Sequence, residues 1–217
     1  ILSLLKKLNI DNNTIFFLCG DNGGQDYFKT KERPHGFFGP NLNPKTGQRF
    51  RAGKGSLYEG GLKVPYLVRW PGNIKSNSVS KHLFYYPDVM PTLSELTGAE
   101  CPETDDISIL PTLLSKGKQS KHSYLYWEYL RQRAVRKDHW KAYRDRKGNW
   151  ELYDLSKDLE EQKNLAKEQT EVLNELIAIA DSSNQPAKLG KIFNRALVDK
   201  DHREAPHERN LQYKNLK

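Results

Sequence analysis

Residues 14–20, Thr-Ile-Phe-Phe-Leu-Cys-Gly, form a short continuous apolar run that stops at Asp21-Asn22-Gly23-Gly24. A run of this length bounded by turn residues predicts a strand over Thr14–Cys19, buried on both faces as in a parallel sheet. Ahead of it, Ile1, Leu4, Leu5 and Leu8 have the spacing of one helical face, and Asp11-Asn12-Asn13 makes a turn. Helix, turn and buried strand in succession predict an α/β fold. The opening segment reads as the second half of a helix and carries no initiating Met, so the N-terminus is expected upstream of Ile1.

The polar stretch from Gly20 to Gly55 is too long for an ordinary connection, and loops of this size are usually functional when their aromatic content argues against disorder. Residues 64–72 predict a second strand, closed by Pro71-Gly72. Residues 88–98 predict a short helix with Asp88 as N-cap and Gly98 at the C-cap. A Lys, Ser and Gly stretch then sets a boundary near residue 117. Beyond it, aromatic and β-rich segments with a turn at Arg146-Lys147-Gly148-Asn149 predict an antiparallel meander. Val172, Leu173, Leu176, Ile177 and Ala180 predict a helix over 170–181. The expected organisation is 1–117, an α/β region; 118–185, a small antiparallel subdomain with a helix; and 186–217, a basic tail.

A formal charge of +8 favours an anionic partner, without separating nucleic acid from sulfated sugar, phosphate ester or membrane surface. No apolar run approaches the roughly 18 residues of a membrane span. Cys19 and Cys101 make neither a disulfide framework nor a zinc set.

In open α/β sheets ligands collect beyond the carboxyl ends of strands, where Asp21 and Asn22 fall. A carboxylate and an amide carbonyl are hard oxygen donors suited to Ca²⁺ or Mg²⁺, but Asp-Gly and Asn-Gly pairs are also ordinary turn signals. Both readings stay open on spacing alone, and a Ca²⁺ shell of about six to eight oxygens would need further donors from elsewhere. Lys54 lies between Gly53 and Gly55, outside any P-loop spacing; it is either a solvated turn lysine or an anion binder. Glu59 is expected to be structural first, capping the next segment or orienting Lys54.

Taken in order, LCGDNGG, GKGSLYEGGLKVPYLVRWPGNI, YYPDVMPTLSELTGAECPETDDISILPTLL, AVRKDHWKAYRD and ELYDLSKDLEEQKNLA resemble the C-terminal part of the sulfatase family, within the alkaline-phosphatase-like superfamily. The resemblance covers roughly residues 1–180. It implies the C-terminal part of an alkaline-phosphatase-like sandwich with parallel-sheet strands, plus a small antiparallel sheet and a C-terminal helix. It further implies that Asp21 and Asn22 are ligands of a Ca²⁺ ion and that Lys54 binds the substrate sulfate. The family's formylglycine nucleophile arises in a Cys/Ser-x-Pro-x-Arg context, which neither Cys19 nor Cys101 has; it is expected upstream, with the remaining metal ligands. The implied function is sulfuric ester hydrolysis on a sulfated carbohydrate, with no turnover by this chain alone.

The loop of 25–51 offers Lys29, Lys31, Arg33, His35, Arg49 and Arg51, either as a solvated basic loop or as contacts to an anionic sugar; His35 and Arg33 are the candidate substrate residues. The other histidines, His82, His122, His139, His202 and His207, show no ligand spacing and are expected to be surface or strand-packing residues. Two alternatives remain at this point: a phosphodiesterase or phosphonate hydrolase of the same superfamily, and a basic polyanion-binding protein. No nucleic-acid partner is expected, and a periplasmic or secreted location is implied by the resemblance alone.

Overall fold

Alternation along three consecutive strands organises the better-packed half of the molecule. Four strands, β3 (Leu125–Tyr129), β4 (Gln132–Lys137), β5 (Trp140–Arg144) and β6 (Trp150–Asp154), form an antiparallel meander in the order β3-β4-β5-β6. Successive side chains point to opposite faces. Val135, Ala142 and Leu152 therefore pack on one face with Leu176 and Ala180 of helix α5 (Thr170–Ser183). Ala134, Tyr143 and Tyr153 pack on the other with Leu57 and Tyr58. Both faces are covered, which is why Ala134, Val135, Ala142, Leu152 and Tyr153 are fully buried. The turn before β6 is held by Asp145, whose carboxylate accepts the amides of Lys147 and Asn149 at 2.8 Å each.

The computed structural model describes residues 1–25, 31 and 39–185. Ile1–Ser183 form one compact unit and Asn184–Lys217 a second. In the first, helix α1 (Leu2–Lys7) buries none of its residues, and Leu4 and Leu8 are exposed. Asp11 takes a bidentate pair from Arg69 at 2.7 Å on both oxygens, tying the turn after α1 to β2 (Tyr66–Arg69). Strand β1 (Phe16–Cys19) pairs with β2, Cys19 opposite Tyr66.

The mixed α/β architecture agrees with the sequence reading, but this strand pair is antiparallel and neither strand is buried on both faces. Leu18 and Leu67 stand opposite one another with more than half of their surface exposed. An apolar run does not encode the direction of its partner, and here the face that the run would bury is open.

Helix α3 (Val89–Thr97) ends at Gly98 with φ of 71°, as expected. Asp88 stands at the N-cap position, but its carboxylate does not cap α3. It accepts the amides of Tyr85 at 3.2 Å and Ile107 at 2.9 Å and meets His122 Nε2 at 2.8 Å. Asp88 is fully buried, so this one carboxylate gathers the turn before α3, the approach to α4 (Leu110–Leu114) and the approach to β3. No helix among the described residues is long and apolar enough to cross a membrane.

Candidate active site

Lys54 owes its position to a turn that needs glycine. The Ser56 amide donates to the Gly53 carbonyl at 3.1 Å, and Gly55 has φ of 88°. A positive φ at the third position of a four-residue turn is the requirement that glycine meets without steric cost. Lys54 is thereby placed at the tip, its side chain exposed and without a hydrogen bond or ion pair among the described residues.

A second use of glycine brings Asp21 and Asn22 to the same place. Helix α2 (Glu59–Leu62) is a single turn, and its Gly60 amide donates to the Arg51 carbonyl at 2.9 Å. A Cβ on Gly60 would lie 2.3 Å from that oxygen, and one on Gly61 2.0 Å from the Ser56 carbonyl. Gly23 packs onto α2 in turn: its amide donates to the Gly61 carbonyl at 2.9 Å, and a Cβ there would meet Gly60 O at 1.8 Å. The Lys54 amide closes the seam by donating to Gly24 O at 2.9 Å. Close contact between backbones, rather than positive φ, thus explains Gly23, Gly60 and Gly61.

Asp21, Asn22 and Lys54 consequently line one open cleft of about 790 Å³. Asp21 is exposed and Asn22 half-buried, and neither side chain is committed to a hydrogen bond or ion pair among the described residues. Two adjacent hard oxygen donors left uncommitted fit part of a Ca²⁺ shell. No group of three His, Cys, Asp or Glu among the described residues could hold a metal by itself. Arg33 and His35 lie outside the described residues.

Arg51, grouped at first with the basic loop, is spent structurally. Its guanidinium lies over the Tyr58 ring, 4.0 Å from the centroid, donates to the Tyr153 hydroxyl and to Glu161 O, and stands 3.4 Å from Glu151. Tyr58 and Tyr153 both donate to Glu151, at 2.6 and 2.5 Å, and burial together with that carboxylate pushes both hydroxyls well above the usual tyrosine range.

Glu59 is structural, but its side chain neither caps α2 nor reaches Lys54; its partners are ones that spacing does not disclose. Its carboxylate meets the buried ammonium of Lys141 on β5 at 2.8 Å, and its amide donates to Glu161 Oε2 at 2.6 Å. Lys141 also reaches Glu161 Oε1 at 2.8 Å. Burial pushes the Glu59 carboxyl up, but Lys141 more than offsets this and holds it below the usual range; burial keeps Glu161 above it despite the same lysine.

His82 was not legible as a site residue, yet it lines the cleft with Tyr85, Trp127 and Tyr129. It is half-buried, and burial holds its imidazole below the ordinary value. No spacing signal pointed to it, because only the folded chain brings residue 82 to the cleft that residue 21 lines.

Residues 50–184, more than half of the chain, match the family described as N-sulphoglucosamine sulphohydrolase, C-terminal. The chain belongs to the sulfatase family. It is 30% identical over 204 residues to an N-acetylgalactosamine-6-O-sulfatase of Bacteroides thetaiotaomicron, covering 84% of this chain and 38% of that protein. A steryl-sulfatase of Rattus norvegicus is 35% identical over 131 residues, 58% of this chain and 21% of the relative. Among solved structures, one from work on the metabolism of multiple glycosaminoglycans by Bacteroides thetaiotaomicron superposes with a TM-score of 0.68 at 29% identity, covering 83% of this chain and 41% of that one. The chain therefore spans about two fifths, or less, of the length of these relatives.

Proposed function

We propose that this chain is the C-terminal part of a sulfuric ester hydrolase acting on a sulfated carbohydrate, and that Asp21, Asn22 and Lys54 are its contribution to the reacting centre. The observation that carries the reading is the seam between Gly23-Gly24 and the 53–61 segment, which holds a carboxylate, an amide and an ammonium on one cleft with none of them spent internally. Asp21 and Asn22 would hold a Ca²⁺ ion, which when bound supplies positive charge to the sulfate oxygens. Lys54 would bind and orient the sulfate and share the negative charge that grows on its oxygens and on the leaving oxygen as the S–O bond breaks. Aromatic rings of Tyr85, Trp127 and Tyr129 on the cleft offer faces for sugar rings, and relatives named for galactosamine sulfate and glycosaminoglycan metabolism support a carbohydrate substrate.

None of these residues is a nucleophile placed to attack sulfur, and on this reading a formylglycine and the remaining metal ligands would come from another part of the enzyme. The exposed apolar residues Leu18 and Leu67 on the strand pair, and Leu4 and Leu8 around α1, are the surface that this part would cover. The test compares Asp21→Ala and Lys54→Ala in the full-length enzyme, with calcium affinity by calorimetry and turnover of a sulfated sugar measured in parallel. Asp21→Ala should lose calcium and activity; Lys54→Ala should keep calcium and lose sulfate binding and activity. Retention of both calcium and rate by Asp21→Ala would return Asp21-Asn22-Gly23-Gly24 to the status of a turn.

A further inference from the structure

A second cavity, of about 220 Å³, adjoins the cleft and shares His82, Leu83, Leu125 and Arg136 with its lining. Its own walls add Lys81 and Lys121, both exposed, and one carboxylate, Asp138. Two lysines and Arg136 thus share this lining with one acid, Asp138, and Arg136 has a second carboxylate, Glu59, 4.0 Å away. A further carboxylate, Asp88, lies against His122 of the lining, but it is fully buried and already engaged by His122 and by two backbone amides. Lys81 and Lys121 have no ion pair or hydrogen bond through their ammonium groups among the described residues. Arg136 reaches the Glu59 carboxylate only at 4.0 Å and donates through Nε to the Asp138 carbonyl at 3.4 Å.

Two ammonium groups without an internal partner on the rim of a cleft raise the local concentration of anions and favour an oxyanion that can approach both at once. Lysine suits this, since an ammonium can donate to an oxyanion in many orientations. We propose that this cavity is a subsite for a second oxyanion, a sulfate or a carboxylate, carried by the sugar next to the one whose sulfate ester meets Lys54. The inference rests on the function proposed above and deepens it: the preferred substrate is a saccharide bearing at least two negative charges on neighbouring residues. His82 lines both cavities and would separate the scissile group from the retained one.

The test uses the full-length enzyme and three disaccharides of one backbone: singly sulfated, sulfated on both rings, and sulfated on one ring with a uronate on the other. In the Lys81→Ala/Lys121→Ala variant, kcat/KM on both doubly charged substrates should fall about tenfold, mostly through KM, the scale of losing charge-assisted contacts at a partly exposed site. Turnover of the singly sulfated substrate should be unchanged, and Lys81→Arg/Lys121→Arg should restore the preference. A loss confined to the disulfated substrate assigns the subsite to sulfate; one confined to the uronate assigns it to carboxylate. Equal losses on all three substrates, or no loss on any, overturn the subsite and leave the sulfatase reading standing. Inactivity of the parent enzyme on all three overturns that reading, and the subsite with it.

Discussion

Replacing Lys141 by methionine should destabilise the fold in a way that depends on pH. The ammonium is wholly buried and stands 2.8 Å from Glu59 Oε1 and 2.8 Å from Glu161 Oε1, so one cation serves two carboxylates. At an effective dielectric constant near 20, unit charges about 4 Å apart attract by about 4 kcal/mol, an amount comparable to what desolvating the ions costs. The intact triad is therefore close to neutral for stability. Removing the cation alone is not, because it leaves two buried anions facing each other, and a broken buried pair costs about 3–5 kcal/mol. Methionine refills most of the lysine stem, which keeps the cavity contribution small.

The carboxyls have one escape, which is to bind protons. Glu161, already pushed up by burial and by Glu59, would take one first. Each pH unit above a carboxyl's folded pKa adds about 1.4 kcal/mol to the cost of keeping it neutral, so acid should relieve the defect. The assay is urea denaturation of the parent chain and of Lys141→Met at pH 5 and pH 8, followed by tryptophan fluorescence. The expected loss is about 3–5 kcal/mol at pH 8 and roughly half of that at pH 5. Lys141→Met/Glu161→Gln should recover part of it at pH 8, since one anion is gone while glutamine still accepts the Glu59 amide. A loss below about 1 kcal/mol, or an equal loss at both pH values, refutes the electrostatic account and leaves a packing effect.

For the unaltered chain, Glu59, Asp145 and Asp154 are all held below their ordinary values, Glu59 by Lys141 against burial, Asp145 chiefly by Asn149 and Asp154 chiefly by Ser156. Their contribution is present above the unfolded values of 4.5 and 3.8 and is lost as pH falls through the folded ones, while Glu161 works in the opposite sense; denaturation midpoints should therefore drop below about pH 4.5, less steeply than Glu59 alone would dictate. Gly23→Ala should cost about 1–3 kcal/mol by the same denaturation assay, because its Cβ would lie 1.8 Å from Gly60 O and one of two hydrogen-bonded backbones must move. In the full-length enzyme it should also weaken calcium binding with Asp21 and Asn22 both intact; unchanged calcium affinity would show that the seam does not place the ligands.

What the sequence disclosed follows from the range over which each signal acts. The hairpin around Gly148, the end of α3 at Gly98 and the apolar face of α5 are local: each is decided by residues within a few positions of one another, and each lies where the pattern placed it. The antiparallel direction of β1 against β2 is not local, and an apolar run reads alike in either direction. Asp88 shows both behaviours, since its position at the start of α3 is a capping signal while its carboxylate turns toward Ile107 and His122. Lys141 was illegible for the same reason as His82. A lysine in an alternating strand reads as a solvated residue, and the carboxylate that buries this one is 82 positions away.

The question raised by Asp21-Asn22-Gly23-Gly24 can be put to its glycines. Neither Gly23 nor Gly24 is among the residues with positive φ, so neither serves a turn that needs a left-handed residue. Both are instead pressed against other backbones, Gly23 against Gly60 and Gly24 against Gly39, where any Cβ would clash. Contact this close makes the strand end a part of the Lys54 segment rather than its neighbour: Gly23 donates to Gly61, and Lys54 donates back to Gly24. The 53–61 segment is in turn bolted to the antiparallel sheet through Glu59, Lys141 and Tyr58. The small sheet therefore carries the proposed metal ligands and the proposed sulfate binder as one body, although none of the three residues belongs to it. Disturbing the Lys141 triad should for that reason move both functions together, whereas Asp21→Ala and Lys54→Ala should separate them.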